Sequence, residues 1–467
     1  MSAIHNLTAI ELSRAYARGE LSPVDATESA LARMEAFEPR INAMFVIARD
    51  QARAAAKASE TRWRQHAPLS ALDGVPITIK ENIYTKGDPA PIGTKANDGQ
   101  PAPDADAPPS ARVREAGCVI LGKTTMPDYG MLSSGLSSMH GITRNPWRLD
   151  RNTSGSSSGA GAAAVAGYGP LHLGTDIGGS VRLPATHCGI FALKPTLGRV
   201  PVNPPFIGRV IGPMTRTVAD SALLMIALSR PDARDFTSIA YQPTDYLAAL
   251  SGNLDLWAKG LRIAFIPDMK CGLPVHPDVR AAATTAAHAL ERAGAKVEEI
   301  SSFLTADMLD GMCRFFEARS HNDVAQLPPE RRAKILPFIL EWCNHRAKDF
   351  SGRDVMASVN AVFAIREAAV RATTPYDFVI SPTSPIPPYE AELACPGNDP
   401  RNALPHIAFT VPYNMSEQPA ASINWTYTND GLPVGVQVIG RRFDDAGVLK
   451  LAQVLEGLRP AQRAWPE

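Results

Sequence analysis

Gly174-Thr175-Asp176-Ile177-Gly178-Gly179-Ser180 decides how this chain is read. The apolar run Leu171–Thr175 predicts a strand. The pair Gly178-Gly179 then predicts a turn without Cβ atoms, where backbone N–H groups stand open to a ligand. A serine at the end of such a turn has what acyl transfer needs: a nucleophile, and hydrogen bonds for the oxyanion it creates. Ser180 is the candidate nucleophile, and the N–H groups of Ile177, Gly178, Gly179 and Ser180 are the candidate oxyanion donors. Each such donor is worth about 3–4 kcal/mol in the transition state.

Two upstream segments carry the partners. Ser154-Gly155-Ser156-Ser157-Ser158-Gly159 runs directly into Ala160–Ala166, a strong helix former, so it reads as a helix-capping turn rather than a linker. Lys80 closes the β-branched run Val75–Lys80 within Gly74-Val75-Pro76-Ile77-Thr78-Ile79-Lys80-Glu81-Asn82. Most lysines are solvated. For Lys80 to be half neutral at pH 7, its pKa must fall by about 3 units from roughly 10.4, and burial without a carboxylate partner supplies that. Ordinary meanings compete at each point: a solvated serine, a capped helix, a surface lysine.

Outward from these segments, helices and strands alternate, which predicts an α/β/α sandwich around a large mixed, twisted sheet. Residues 7–38 and 48–65 predict two helices before the first strand, Val75–Lys80. Residues 87–110 predict a long surface loop, Ala111–Gly117 a helix and Cys118–Leu121 a buried strand. The texture changes near residue 230. The expected organisation is an N-terminal helical segment over 1–70, a core over 71–230, and the rest of the same fold over 231–467, with a helical region at 305–372. Leu261–Pro267, Lys296–Ile300, Tyr376–Thr383 and Leu432–Gly440 predict further strands; Asp278–Ala293 and Asp444–Leu458 predict helices.

Composition bounds the partners. The 467 residues carry 47 acidic and 47 basic side chains, so no global field favours nucleic acid or an anionic membrane. No leader opens the chain and no run reaches a membrane span, which predicts a cytoplasmic protein; six scattered cysteines without a CxxC pair fit reduced thiols there. No metal-ligand spacing occurs among the ten histidines, and no cofactor is expected. His187, seven residues after Ser180, reads as packing rather than as a base. Gly117–Thr124 satisfies the P-loop pattern literally, but Cys118-Val119-Ile120-Leu121 predicts a buried strand, not a phosphate cradle. The Gly-x-Ser-x-Gly elbow is absent around Ser180.

Taken together, these segments resemble the amidase signature family over most of the chain. The resemblance adds Leu121-Gly122-Lys123-Thr124, Arg144-Asn145-Pro146-Trp147, Gly189–Arg199, Gly212–Arg216 and Gly431–Gln437 to the three already quoted. It implies an amide hydrolase, open also to esters or carbamates, with Ser180 acylated, Ser156 in a cis peptide relaying the proton, and Lys80 as the neutral base. It implies that Ser157, Asp176 and Thr175 brace the turns. A small-molecule amide is the implied partner, and a homodimer is common among relatives. The alternative within the same resemblance is the glutaminase A subunit of a glutamyl-tRNA(Gln) amidotransferase. Departures occur at Ser158, where a glycine is usual, at Glu81, Thr125 and Ser422–Trp425. The expected substrate pocket comprises Gly130, Met131, Gly155, Trp425 and the bulky residues of 313–342, which suit an apolar or aryl amide.

Overall fold

The computed structural model describes residues 3–467. Side chains alternate across a strand, and here the alternation feeds separate cores. Ile120, Leu193, Ile263 and Phe378 pack on one face of the sheet. Their neighbours Val119, Leu121, Ala192, Ala264 and Val379 enter the cores on the other. Helices Val218–Leu228, Pro277–Arg292 and Asp445–Leu458 cover the first face. Pro23–Ile41, Ser158–Ala166, Arg182–Cys188 and the helices between 306 and 373 cover the second. The result is a three-layer α/β/α sandwich.

Eleven strands form the central sheet, in the order Met44–Ile47, Val119–Thr124, Pro76–Lys80, Leu171–Asp176, Val210–Thr215, Phe191–Lys194, Ala420–Tyr427, Pro433–Gly440, Phe378–Pro382, Arg262–Phe265, Lys296–Glu299. Pro76–Lys80 runs parallel to both its neighbours, and Arg262–Phe265 to both of its own. The other pairings are antiparallel, so the sheet is mixed. Because Pro76–Lys80 and Leu171–Asp176 are parallel neighbours, Lys80 and Asp176 finish at the same edge. Carboxyl ends of adjacent parallel strands are where open α/β sheets hold ligands.

Several elements differ from expectation. The predicted helix over 7–38 is two, Ala9–Arg18 and Pro23–Ile41, separated where Gly19 turns left-handed at φ 69°. An edge strand, Met44–Ile47, precedes Pro76–Lys80, so the latter is not first. The loop expected over 87–110 ends early, because Pro108 and Pro109 open the helix Pro108–Glu115; proline suits a first helical turn, whose N–H groups lack partners anyway. Strands Phe191–Lys194, Val210–Thr215 and Ala420–Tyr427 had no counterpart in the expectation. Among the described residues, no helix is long and apolar enough to cross a membrane.

Candidate active site

The turn after Leu171–Asp176 is held rigidly from several sides. Asp176 accepts from the Gly179 N–H at 2.8 Å and the Val181 N–H at 3.2 Å, closing the turn on itself. Burial alone would raise the Asp176 pKa. The Arg182 guanidinium, 3.0 Å away, and the Asn414 amide outweigh burial and hold it well below the usual carboxylate range. Thr410 Oγ1 donates to the Gly178 carbonyl at 2.6 Å. Gly179 sits at φ +129°, and a Cβ there would lie 2.5 Å from Thr410 Oγ1, so only glycine fits.

That geometry divides the four expected oxyanion donors. The Gly179 N–H is committed to Asp176. The N–H groups of Ile177, Gly178 and Ser180 meet no protein acceptor among the described residues. Three of the four expected donors are therefore left open, because the aspartate that shapes the turn takes the fourth.

Ser156 follows a cis Gly155–Ser156 peptide and precedes the helix Ser158–Ala166, whose N-cap is Ser157. Ser158 begins that helix with ordinary helical geometry, so its Cβ is tolerated. The Ser157 N–H donates to the Ser180 carbonyl at 3.2 Å, tying the two serine turns together. Gly174 permits this closeness: a Cβ on it would lie 2.7 Å from Ser157 Oγ.

Lys80 enters between the turns, wholly buried. Its Nζ lies 2.8 Å from Ser156 Oγ, 3.1 Å from Ser157 Oγ and 2.8 Å from Thr175 Oγ1. Burial pushes its pKa down to about 7, against the opposing pull of Asp176 and Glu81. Ser157 Oγ also donates to the Thr175 carbonyl, and Thr175 Oγ1 accepts from Asn82 Nδ2 at 3.3 Å. A neutral amine can thus give its two hydrogens to Ser157 and Thr175 and turn its lone pair on the Ser156 hydroxyl. An ammonium can donate to all three.

Depressed basicity alone does not mark this lysine. Burial also brings Lys123 and Lys194 down to about 7. Lys123 ends on the Ile83 carbonyl, within the buried strand Val119–Thr124 that occupies the P-loop-like stretch. Lys194 ends on the Pro195 carbonyl at 3.0 Å. Only Lys80 of the three is set against hydroxyls.

Ser180 is half-buried, and its Oγ makes no hydrogen bond among the described residues. It borders a narrow cavity of about 60 Å³. Gly130, Met131, Ile177 and Gly178 line this cavity, as do Phe316, Arg319 and Ser320 from the helix Ala306–Ala325 and Trp342 from Pro337–Asn344. Gly155 is absent from the lining; its backbone packs on Ser134, where a Cβ would come within 2.6 Å. Trp425 also departs from expectation. It is buried in the core on the first face, its indole N–H on Thr285 Oγ1 at 2.9 Å. Alternation along Ala420–Tyr427 sends Ile423 and Trp425 to that core. His187 is buried too, its Nε2 3.4 Å from Ser384 Oγ, and it does not line the cavity.

Sequence reasoning missed Arg182, Thr410 and Asn414, which hold the turn before Ser180, and Arg319 in the wall. Arg182 follows Ser180 closely enough to have been a signal. Thr410 and Asn414 lie more than two hundred residues downstream and carry none.

A model of the family named Amidase matches residues 25–449. The chain belongs to the amidase signature family. Among curated relatives, the A subunit of the glutamyl-tRNA(Gln) amidotransferase of Myxococcus xanthus is 34% identical, with 97% of each chain covered. The acylamidase of Rhodococcus erythropolis is 33% identical over 98% of this chain and 96% of its own. The solved structure of a bacterial aryl acylamidase of the amidase signature family superposes with a TM-score of 0.89 at 28% identity, covering 98% of this chain and 97% of that one. Amidase signature proteins of hydrolytic and of amidotransferase name thus both resemble this chain end to end.

Proposed function

We propose that this protein hydrolyses carboxylic amides, preferring apolar or aryl amides, through an acyl-enzyme on Ser180. The observation that carries the reading is the dry Lys80 amine against the hydroxyls of Ser156, Ser157 and Thr175. No hydrogen bond joins Ser156 Oγ to Ser180 Oγ at rest. In the proposed cycle the Ser180 hydroxyl rotates about χ1 onto Ser156 as substrate fills the cavity. The Ser180 proton passes to Ser156 Oγ while the Ser156 proton passes to Lys80 Nζ, and Ser180 Oγ bonds to the carbonyl carbon. The carbonyl oxygen, now negative, is met by the N–H groups of Ile177, Gly178 and Ser180. The proton returns through Ser156 to the amine nitrogen as the carbon–nitrogen bond breaks. Water repeats the sequence on the acyl-enzyme and releases the acid. Phe316, Trp342, Met131 and Ile407 supply an apolar wall that favours an apolar substrate body, and the acylamidase relatives support the same preference.

The test is labelling with a neutral fluorophosphonate, followed by mapping of the adduct, with burst kinetics on an aryl amide. A single adduct on Ser180, lost in Ser180→Ala together with turnover, is expected. An adduct elsewhere, or turnover that survives the substitution, refutes the reading. A second reading, as the glutaminase component of an amidotransferase, is favoured by the Myxococcus relative. It requires glutamine as the preferred amide and a partner protein; brisk turnover of aryl amides by the chain alone counts against it.

A further inference from the structure

One cation stands in a wall of apolar side chains, glycines and hydroxyls. Arg319 lies three residues after Phe316 and one before Ser320, so the three share the face of Ala306–Ala325 turned to the cavity. A ring atom of Phe316 comes 3.8 Å from where a Cβ on Gly178 would sit. Arg319 is therefore about one helical turn, roughly 5 Å, along the helix from the Gly178 turn.

The N–H edge of its guanidinium is only loosely engaged. Phe206 takes the flat face, with its ring centroid 4.1 Å from the guanidinium carbon. None of the five N–H donors forms a hydrogen bond among the described residues. The carboxylate in reach, Asp323, is 3.7 Å away and 40% exposed, which makes a loose pair. Arg209 approaches the same ring at 5.4 Å, and its hydrogen-bond partner among the described residues is the Pro204 carbonyl at 3.0 Å. Burial, and after it the charge of Arg319, pushes Arg209 down to about 10, so both remain cations at neutral pH. The two arginines whose side chains are fully enclosed are paired tightly, Arg182 with Asp176 at 3.0 Å and Arg199 with Asp445 at 3.2 Å, whereas the Arg319 side chain is 27% exposed. Stacking on Phe206 engages only the flat face, which leaves the N–H edge of this cavity-lining side chain available to a ligand.

We propose that the amide cleaved here carries a carboxylate, bound by the N–H edge of Arg319 with the charge of Arg209 in support. The inference rests on the acyl-enzyme reading above and names its substrate class: an apolar body with an anionic end. A planar guanidinium matches a carboxylate through two parallel hydrogen bonds, which neither a neutral amide nor a hydroxyl reproduces.

The test compares kcat/KM for glutaryl-para-nitroanilide with its neutral match, valeryl-para-nitroanilide, and for acetyl-para-aminobenzoate with acetanilide. The first pair places the carboxylate on the acyl side, the second on the amine side. A preference of at least about tenfold for the charged member of one pair is expected, as a hydrogen bond to a charged group implies. The ratio should fall towards one in Arg319→Gln, recover in part in Arg319→Lys and weaken as salt is raised. Fluorophosphonate labelling of Ser180 is measured in parallel on every variant and reports an intact site. Labelling without a carboxylate preference in either pair overturns this inference and leaves the acyl-enzyme reading standing. A preference that Arg319→Gln leaves untouched also overturns it. Loss of labelling in the unaltered protein removes both.

Discussion

Replacing Thr175 by valine tests the link between Lys80 and turnover. Valine keeps the shape of threonine but removes the hydroxyl that accepts from Lys80 Nζ at 2.8 Å. A hydrogen bond to a charged group contributes about 1.5–3 kcal/mol, and one between neutral groups about 0.5–1.5 kcal/mol. Losing the acceptor therefore penalises the ammonium more than the amine, by about 1 kcal/mol. At about 1.36 kcal/mol per pKa unit, the Lys80 pKa should fall by roughly 0.7 unit. Only the neutral amine can take a proton, so in the proposed cycle kcat/KM should rise with pH as Lys80 deprotonates, around its pKa of about 7. In Thr175→Val that ascending limb should move to lower pH by the same amount. Thr175→Ser, which restores a hydroxyl, should return it. The assay is the pH profile of kcat/KM for a neutral para-nitroanilide, whose own ionisation does not intrude. A limb that stays in place, or moves upward, refutes the assignment of Lys80 as the titrating base.

Three further outcomes are expected. Lys80→Met should lower kcat by about 10²–10⁴-fold and erase the ascending limb, read from the same pH profile. Asp176→Asn should destabilise the fold by about 3–5 kcal/mol, because it leaves Arg182 buried beside a neutral group; urea unfolding measures it. The Asp176 carboxyl is depressed in the folded state, so its contribution is present above the unfolded pKa of about 4 and is lost as pH falls towards the folded value. The difference in stability between the parent and Asp176→Asn should shrink accordingly in acid. Trp425→Ala should cost about 3–5 kcal/mol of stability and leave KM unchanged, since Trp425 fills the core and not the cavity.

Local chemistry made much of the fold legible. Val75–Lys80 announced the strand Pro76–Lys80 because β-branched residues run to the lysine. Ala160–Ala166 announced its helix by composition alone. Val210–Thr215 stayed hidden because Gly212 and Pro213 sit inside it and read as breakers, yet Pro213 pairs opposite Leu173. The candidate site divides in the same way. Lys80 and Ser156, named from their motifs, lie 2.8 Å apart. Gly179 was expected to be a free donor, but whether an N–H is free depends on where Asp176 points. Trp425 was misplaced because a large aromatic residue looks the same in a core as in a pocket. Arg319 carries no motif, and its meaning comes wholly from what the fold leaves unpaired around it.

The clamps on the turn before Ser180 come from residues far along the chain. Thr410 and Asn414 grip it from more than two hundred residues downstream, and Gln437 accepts from Arg182 at 2.7 Å. Translation delivers Ser180 long before any of them. A nascent polypeptide that stops short of residue 410 carries the Ser180 hydroxyl but none of these grips. The turn that carries the Ser180 hydroxyl gains these contacts only once residues 410–437 have been made, so a product that stops short of them is expected to lack the proposed activity.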